Sequence, residues 1–136
     1  MNRKNISSGF SLIELIVVVA IVAILASVAI PSWVAYMQKG RRADAISSLL
    51  NLQLQQEKWR SSDIDYATLA ELGWTDGNGN STDGYYTISV TANGTSTFTA
   101  IAAPVGQQSN DKCGSFAINQ DGPVYTSYAN ADCWGH

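Results

Sequence analysis

Glu14 stands inside an otherwise apolar run, and Cys113 and Cys133 are the only cysteines in the chain. These three residues carry most of the chemistry that the residue types suggest. From Phe10 to Ile30 the sequence reads FSLIELIVVVAIVAILASVAI, and Ser11, Glu14 and Ser27 are its polar members. A carboxylate in hydrocarbon costs several kcal/mol unless something neutralises it. Two readings follow. Glu14 meets an opposite charge supplied by another molecule, or it sits at the membrane edge and reaches water. The first is favoured, because a helix whose sole task is anchoring has no use for the charge. Cys113 and Cys133 form an even pair late in the chain, which in an exported domain reads as a disulfide. Its loop would contribute about 3 kcal/mol by chain entropy. Two free buried thiols are the competing reading.

Catalytic chemistry is poorly served. The one histidine is His136, the last residue. No His/Cys cluster has metal-ligand spacing, and no glycine-rich loop joins a strand to a helix. Asp63 and Asp65 fit a solvated connector better than an acid/base pair. Asp76, Asn78 and Asn80 fall at the first, third and fifth places of a calcium loop. Ser81 then occupies its glycine place and Thr87 its final glutamate place. The stretch from Asp76 to Gly84 is therefore expected to be an ordinary polar loop. Neither an enzyme nor a cofactor nor a metal is expected.

The elements that must position Glu14 begin with the run itself. Its 21 residues make a helix of about 31 Å, enough to cross a hydrocarbon core of about 30 Å. Met1–Gly9 is short and polar, carries Arg3 and Lys4, and contains no acid. It has the character of the first part of an export signal, but its small residue, Gly9, precedes the apolar segment. Ser27-Val28-Ala29 offers a conventional cleavage site after the segment, so a secreted binding module released after Ala29 is one alternative.

Gly9-Phe10-Ser11-Leu12-Ile13-Glu14-Leu15, the apolar helix and Pro31 resemble the N-terminus of type IV pilins. The resemblance implies cleavage by a prepilin peptidase between Gly9 and Phe10 and N-methylation of Phe10. It implies that Glu14, then the fifth mature residue, serves assembly, with Pro31 beyond it. Ser11 replaces a commoner threonine, and Ala23 stands where many relatives have glycine. The implied architecture is α+β: a long N-terminal helix, membrane-spanning in its first half, packed against a small antiparallel sheet with a C-terminal disulfide loop. The implied partners are other pilin subunits, the peptidase and the inner-membrane assembly machinery. The domain beyond the span would be periplasmic before assembly and on the cell surface after it. Twitching motility, adhesion and DNA uptake are the family's roles. A pseudopilin of a type II secretion system is the nearer alternative; the cysteine pair and the compact length weigh towards a pilin, and a minor one.

Bulk properties agree. The net charge is −3. Loss of the leader would leave six basic residues against eleven acidic ones, a net −5. Bulk attraction to nucleic acid is thereby disfavoured, and a DNA partner has no support from charge beyond a local patch.

The organisation reads as leader 1–9, transmembrane and assembly helix 10–30, amphipathic continuation 31–60, and connector, sheet and disulfide loop 61–136. Pro31 should kink or loosen the helix and Gly40 is a second soft point. On a helical wheel Ala43, Ile46, Leu50 and Leu54 share one face, and Ala45, Leu52 and Trp59 share another. Leu49 lies between them, and Asp44, Ser48, Asn51, Gln55 and Lys58 form a polar strip. So broad an apolar arc suggests that one part packs on the chain's own sheet and another on neighbouring subunits. A short helix is expected over Tyr66–Leu72, ended by Gly73. Strands are expected over Tyr85–Thr91 and Thr97–Ala103 about an Asn93-Gly94 turn. A third is expected over Ser115–Asn119, then a turn at Gln120–Pro123 and a fourth strand over Val124–Tyr128.

Overall fold

A computed structural model describes residues 9–74, 79–91 and 95–135. The expected Asn93-Gly94 turn, the first part of the calcium-like loop, the leader before Gly9 and His136 lie outside the described residues. The chain separates into two compact units, Met1–Tyr36 and Met37–His136.

Helix α1 runs from Leu12 to Arg60 and continues through Pro31 and Gly40. Pro31 has no amide to offer the Ser27 carbonyl, so one bond of the ladder is missing there. Two hydroxyls bond to carbonyls beside the gap: Ser32 Oγ donates to the Val28 carbonyl (3.0 Å) and Ser27 Oγ to that of Ile24 (2.7 Å). Basic Lys58 and Arg60 occupy the last turn, where they favour the negative end of the helix dipole.

Within the second unit, strands β1 (Tyr86–Thr91), β2 (Thr99–Pro104), β3 (Phe116–Asn119) and β4 (Gly122–Pro123) form an antiparallel sheet in chain order. Tyr86 pairs with Pro104 and Thr91 with Thr99. Ala102 pairs with Phe116, and Asn119 with Gly122. The expected alternation holds in β1, where Tyr86 and Ile88 are buried between half-buried neighbours. Their core partners on α1 are Ala45, Leu49 and Leu52, spaced to share one helix face. Aromatic edges complete the packing. Tyr66 meets Phe98 at 4.9 Å between centroids, and Phe116 meets Tyr86 at 5.9 Å and Trp134 at 5.5 Å.

Three expectations are corrected. The segment Tyr66–Leu72 is not a helix but a single turn closed at both ends. The Thr68 amide donates to Glu71 Oε2 (2.7 Å) and the Glu71 amide to Thr68 Oγ1 (3.3 Å), a capping box. Only three residues after Glu71 the Trp74 amide reaches the Leu69 carbonyl (3.0 Å) and Gly73, at φ 80°, turns the chain out. The start and stop signals leave no room for a second turn. The fourth strand is not Val124–Tyr128 but Gly122–Pro123, inside the expected turn. The Val124 amide still reaches the Ala117 carbonyl (2.9 Å), but Ser127 at φ 67° reverses the chain. The third correction concerns Asp44 and Ser48, which are buried rather than part of a solvated strip.

Gln56 shows how the connector is fastened. Its amide is fully buried; Nε2 donates to the Ala67 carbonyl (2.7 Å) and Oε1 accepts from the Ala67 amide (2.8 Å). Both polar ends are thus satisfied at one residue of the turn.

Candidate functional site

The first unit presents apolar surface without interruption. Leu12, Ile13, Leu15, Ile16 and every large apolar side chain on to Tyr36 are exposed. The helix is long and apolar enough to cross a membrane. Phe10 is exposed ahead of it, and Gly9 has open space around its Cα. The helical bond from the Leu15 amide to the Ser11 carbonyl (3.1 Å) places Glu14 in the first turn, on the exposed surface. Among the described residues, none forms an ion pair with it.

The continuation of α1 divides as the broad apolar arc suggested. Ala45, Leu49 and Leu52 enter the core, whereas Leu50 and Leu54 face away from it, with Leu54 69% exposed. The exposed pair lies on the Ala43 and Ile46 face read from the wheel, although Ile46 itself packs against the core. Asp44 enters the domain for a different purpose. Its Oδ1 accepts from the Asp83 amide (3.0 Å), and its Oδ2 accepts from the Ser81 hydroxyl and the Tyr85 amide (3.3 Å). Ser81 Oγ in turn accepts from the Tyr86 amide (3.0 Å). A short polar side chain on the helix thereby satisfies the backbone of the segment that leads into β1.

A second polar group near the start of the domain was not foreseen. Arg42 forks onto Asp111, Nε to Oδ2 at 2.7 Å and Nη2 to Oδ1 at 2.6 Å. The Asp111 side chain is 0% exposed. Burial alone would raise its pKa; the hydrogen bonds and charge of Arg42 prevail and hold it below the usual carboxylate value of 3.8. Gln108, on a 3₁₀ helix from Gly106 to Asn110, points its amide at the same place. Nε2 lies 3.1 Å from each of three acceptors: the Gln38 carbonyl, the Tyr86 hydroxyl and Asp111 Oδ2. Burial pushes the Tyr86 hydroxyl up to about 12. Nothing in the local sequence marks Arg42 for this role. Its partner lies 69 residues away and has no periodic signal.

At the C-terminus the predicted disulfide is present, with Cys113 and Cys133 Cα atoms 5.9 Å apart. Helix α2, Ala131–Trp134, delivers Cys133 to it. Asn130 caps that helix by accepting from the Cys133 amide (3.2 Å), and Gly135 at φ 88° ends it. Trp134 is buried against Phe116 rather than left at the surface. Tyr125 is exposed and Tyr128 half-buried. Elsewhere, an open groove of about 430 Å³ lies at the end of α1, lined by Gln55, Lys58, Trp59, Ser62, Glu71 and Leu72. Among the described residues no group of three metal-binding side chains converges.

A long apolar helix running into an antiparallel-sheet domain with a C-terminal disulfide is the architecture of the type IV pilin class. Residues 31–117 match the family model described as type IV minor pilin ComP, DNA uptake sequence receptor. The chain belongs to that type IV minor pilin family. Residues 4–30 match the prokaryotic N-terminal methylation motif. A type IV major pilin protein, PilA, of Myxococcus xanthus is 34% identical over 73 residues, 53% of this chain. The chain matches only 33% of that relative's length.

Proposed function

We propose that the protein is a structural subunit of a type IV pilus that polymerises through its N-terminal helix. The observation that carries this reading is the exposed apolar first half of α1, bearing one carboxylate in its first turn. Burying its Leu, Ile and Val side chains among those of neighbouring subunits drives association, at about 25 cal/mol per Å². Cleavage between Gly9 and Phe10 frees an amine, and Phe10 is then methylated. The ammonium of one subunit's Phe10 neutralises Glu14 of the next and fixes the axial register. Pro31 loosens the helix where it leaves the bundle. The prepilin peptidase and the inner-membrane assembly machinery act on the chain while it is anchored, with the domain in the periplasm; after assembly it is displayed at the cell surface. The role is structural rather than catalytic. Pseudopilin function and release after Ala29 are not favoured, given the family match.

Glu14→Ala tests the pairing. The expected outcome is normal abundance and normal removal of Met1–Gly9, read by intact mass, with sharply reduced recovery in sheared filaments. Unchanged incorporation would refute the pairing. Assembled wild-type subunits that still carried Met1–Gly9 would refute the pilin reading itself.

A second reading adds a ligand. The family description names a DNA uptake sequence receptor, and we infer that this chain contacts DNA from the pilus surface. The chain is acidic overall, so contact must be local. Lys39, Lys58 and Lys112 are exposed, whereas Arg41 and Arg60 lie over the rings of Tyr85 and Tyr66. Lys58 lines the groove at the end of α1, with Glu71 across it, and offers a charge for phosphate. Duplex binding by the full-length protein in detergent should weaken with salt, and Lys58→Ala should lower the log–log slope by about one. Binding no stronger than that of an equally acidic control protein would sink this reading.

A further inference from the structure

Trp33 and Tyr36 are large aromatics that contribute nothing to the core. They are 65% and 71% exposed, one helical turn apart, with ring centroids at 6.4 Å. They follow the apolar run directly, and the first charged residue after them is the exposed Lys39. The order along the helix is therefore apolar side chains, then Trp and Tyr, then a cation. Rings of this kind favour the headgroup layer, where the ring body lies against acyl chains and the N–H or O–H meets water. A lone structural role would not need both rings exposed on one side of a helix.

We propose that Trp33 and Tyr36 form an aromatic anchor for the headgroup layer of one lipid leaflet, and that this anchor sets the depth of the span. Depth has a consequence for Glu14. Trp33 lies nineteen positions after Glu14, about 28 Å along the helix. With Trp33 at one boundary of a hydrocarbon core about 30 Å thick, Glu14 reaches the opposite boundary. The carboxylate then sits among headgroups and water before assembly, and its desolvation is deferred until a neighbouring subunit supplies the countercharge. The occupant of the Trp33–Tyr36 face in the unassembled subunit is thus lipid, not another copy of the chain. The inference rests on the membrane-anchored reading given above.

The full-length precursor in phosphatidylcholine–phosphatidylglycerol vesicles provides the test. Lipids brominated near the headgroup and lipids brominated near the chain end are compared as quenchers, with wild type and Trp33→Phe measured side by side. Trp33 is exposed, so the replacement leaves the core untouched. The difference between the two proteins isolates Trp33 from Trp59, Trp74 and Trp134. The expected result is loss of the Trp33 emission mainly with the shallow bromines. Stronger quenching by the deep bromines would overturn the proposal. So would an unquenched Trp33 whose emission changes with the protein-to-lipid ratio, which would make a second copy the occupant. In a companion measurement, a nitroxide on Glu14→Cys should collide with a water-soluble nickel chelate. Collision with oxygen alone would place position 14 at mid-bilayer and overturn the depth assignment. Failure of the protein to float with the vesicles would sink the membrane reading along with it.

Discussion

Replacing Arg42 by leucine should destabilise the Met37–His136 unit by about 3–5 kcal/mol, because it strands a buried carboxylate. Asp111 has no exposed side-chain surface, and its guanidinium fork is the only ion pair among the described residues. What remains after the change is the Cys113 backbone amide and the Gln108 amide, the latter shared with two other acceptors. The pH dependence should reverse as well. In the native protein Asp111 is held below 3.8, so its contribution is present above that value and is lost as pH falls through the folded pKa. Without the hydrogen bonds and charge of Arg42, burial is no longer outweighed and lifts the folded pKa above the unfolded one. The variant should then gain stability as pH falls from neutral towards 3.8, where the native protein is still flat. Urea unfolding at several pH values reads both effects. A variant whose pH profile parallels the native one would show that Asp111 finds its charge elsewhere. Replacing both residues by leucine should recover part of the loss, since a buried pair is worth less than the cost of breaking it.

Conversion of Cys113 and Cys133 to serine should cost about 3 kcal/mol, a fall in thermal midpoint on the order of 15 °C for a unit of this size. The bond spans 20 residues that contain the four-residue β3, the two-residue β4, a left-handed Ser127 and the start of the four-residue α2. Such pieces are too short to be stable alone. Trp134 should leave Phe116, and the segment from Val124 onward should become open to proteases. Far-ultraviolet helicity should be retained, because α1 is fixed by Ala45, Leu49 and Leu52 in the core. Limited proteolysis and a thermal melt measure the two parts separately. A midpoint unchanged from that of the oxidised protein would show that core contacts, not the bond, hold the C-terminus.

The sequence by itself determined what rests on local order. The apolar run and the position of Glu14 within it needed no tertiary contact to be read. The alternation that buries Tyr86 and Ile88 follows from the pleat of one strand. An even pair of cysteines was enough to expect the bond now seen. The two faces of α1 were also visible on the wheel, and both the buried Leu49 and Leu52 and the exposed Leu50 and Leu54 belong to that pattern. Tertiary structure decided the rest. Asp44 and Ser48 have the composition of a solvated strip, and they are buried because the segment around Ser81 to Tyr85 brings unpaired amides to them. Arg42 and Asp111 meet across 69 residues, a separation at which no periodicity operates. The fourth strand was displaced because Ser127 turns the chain back so that the Ala129 amide reaches the Ser115 carbonyl (2.9 Å) and the cysteines can join. In each case a polar group found its partner far along the chain. Hydrogen-bond satisfaction is a demand of the folded interior, and a sequence pattern shows only which groups will make that demand.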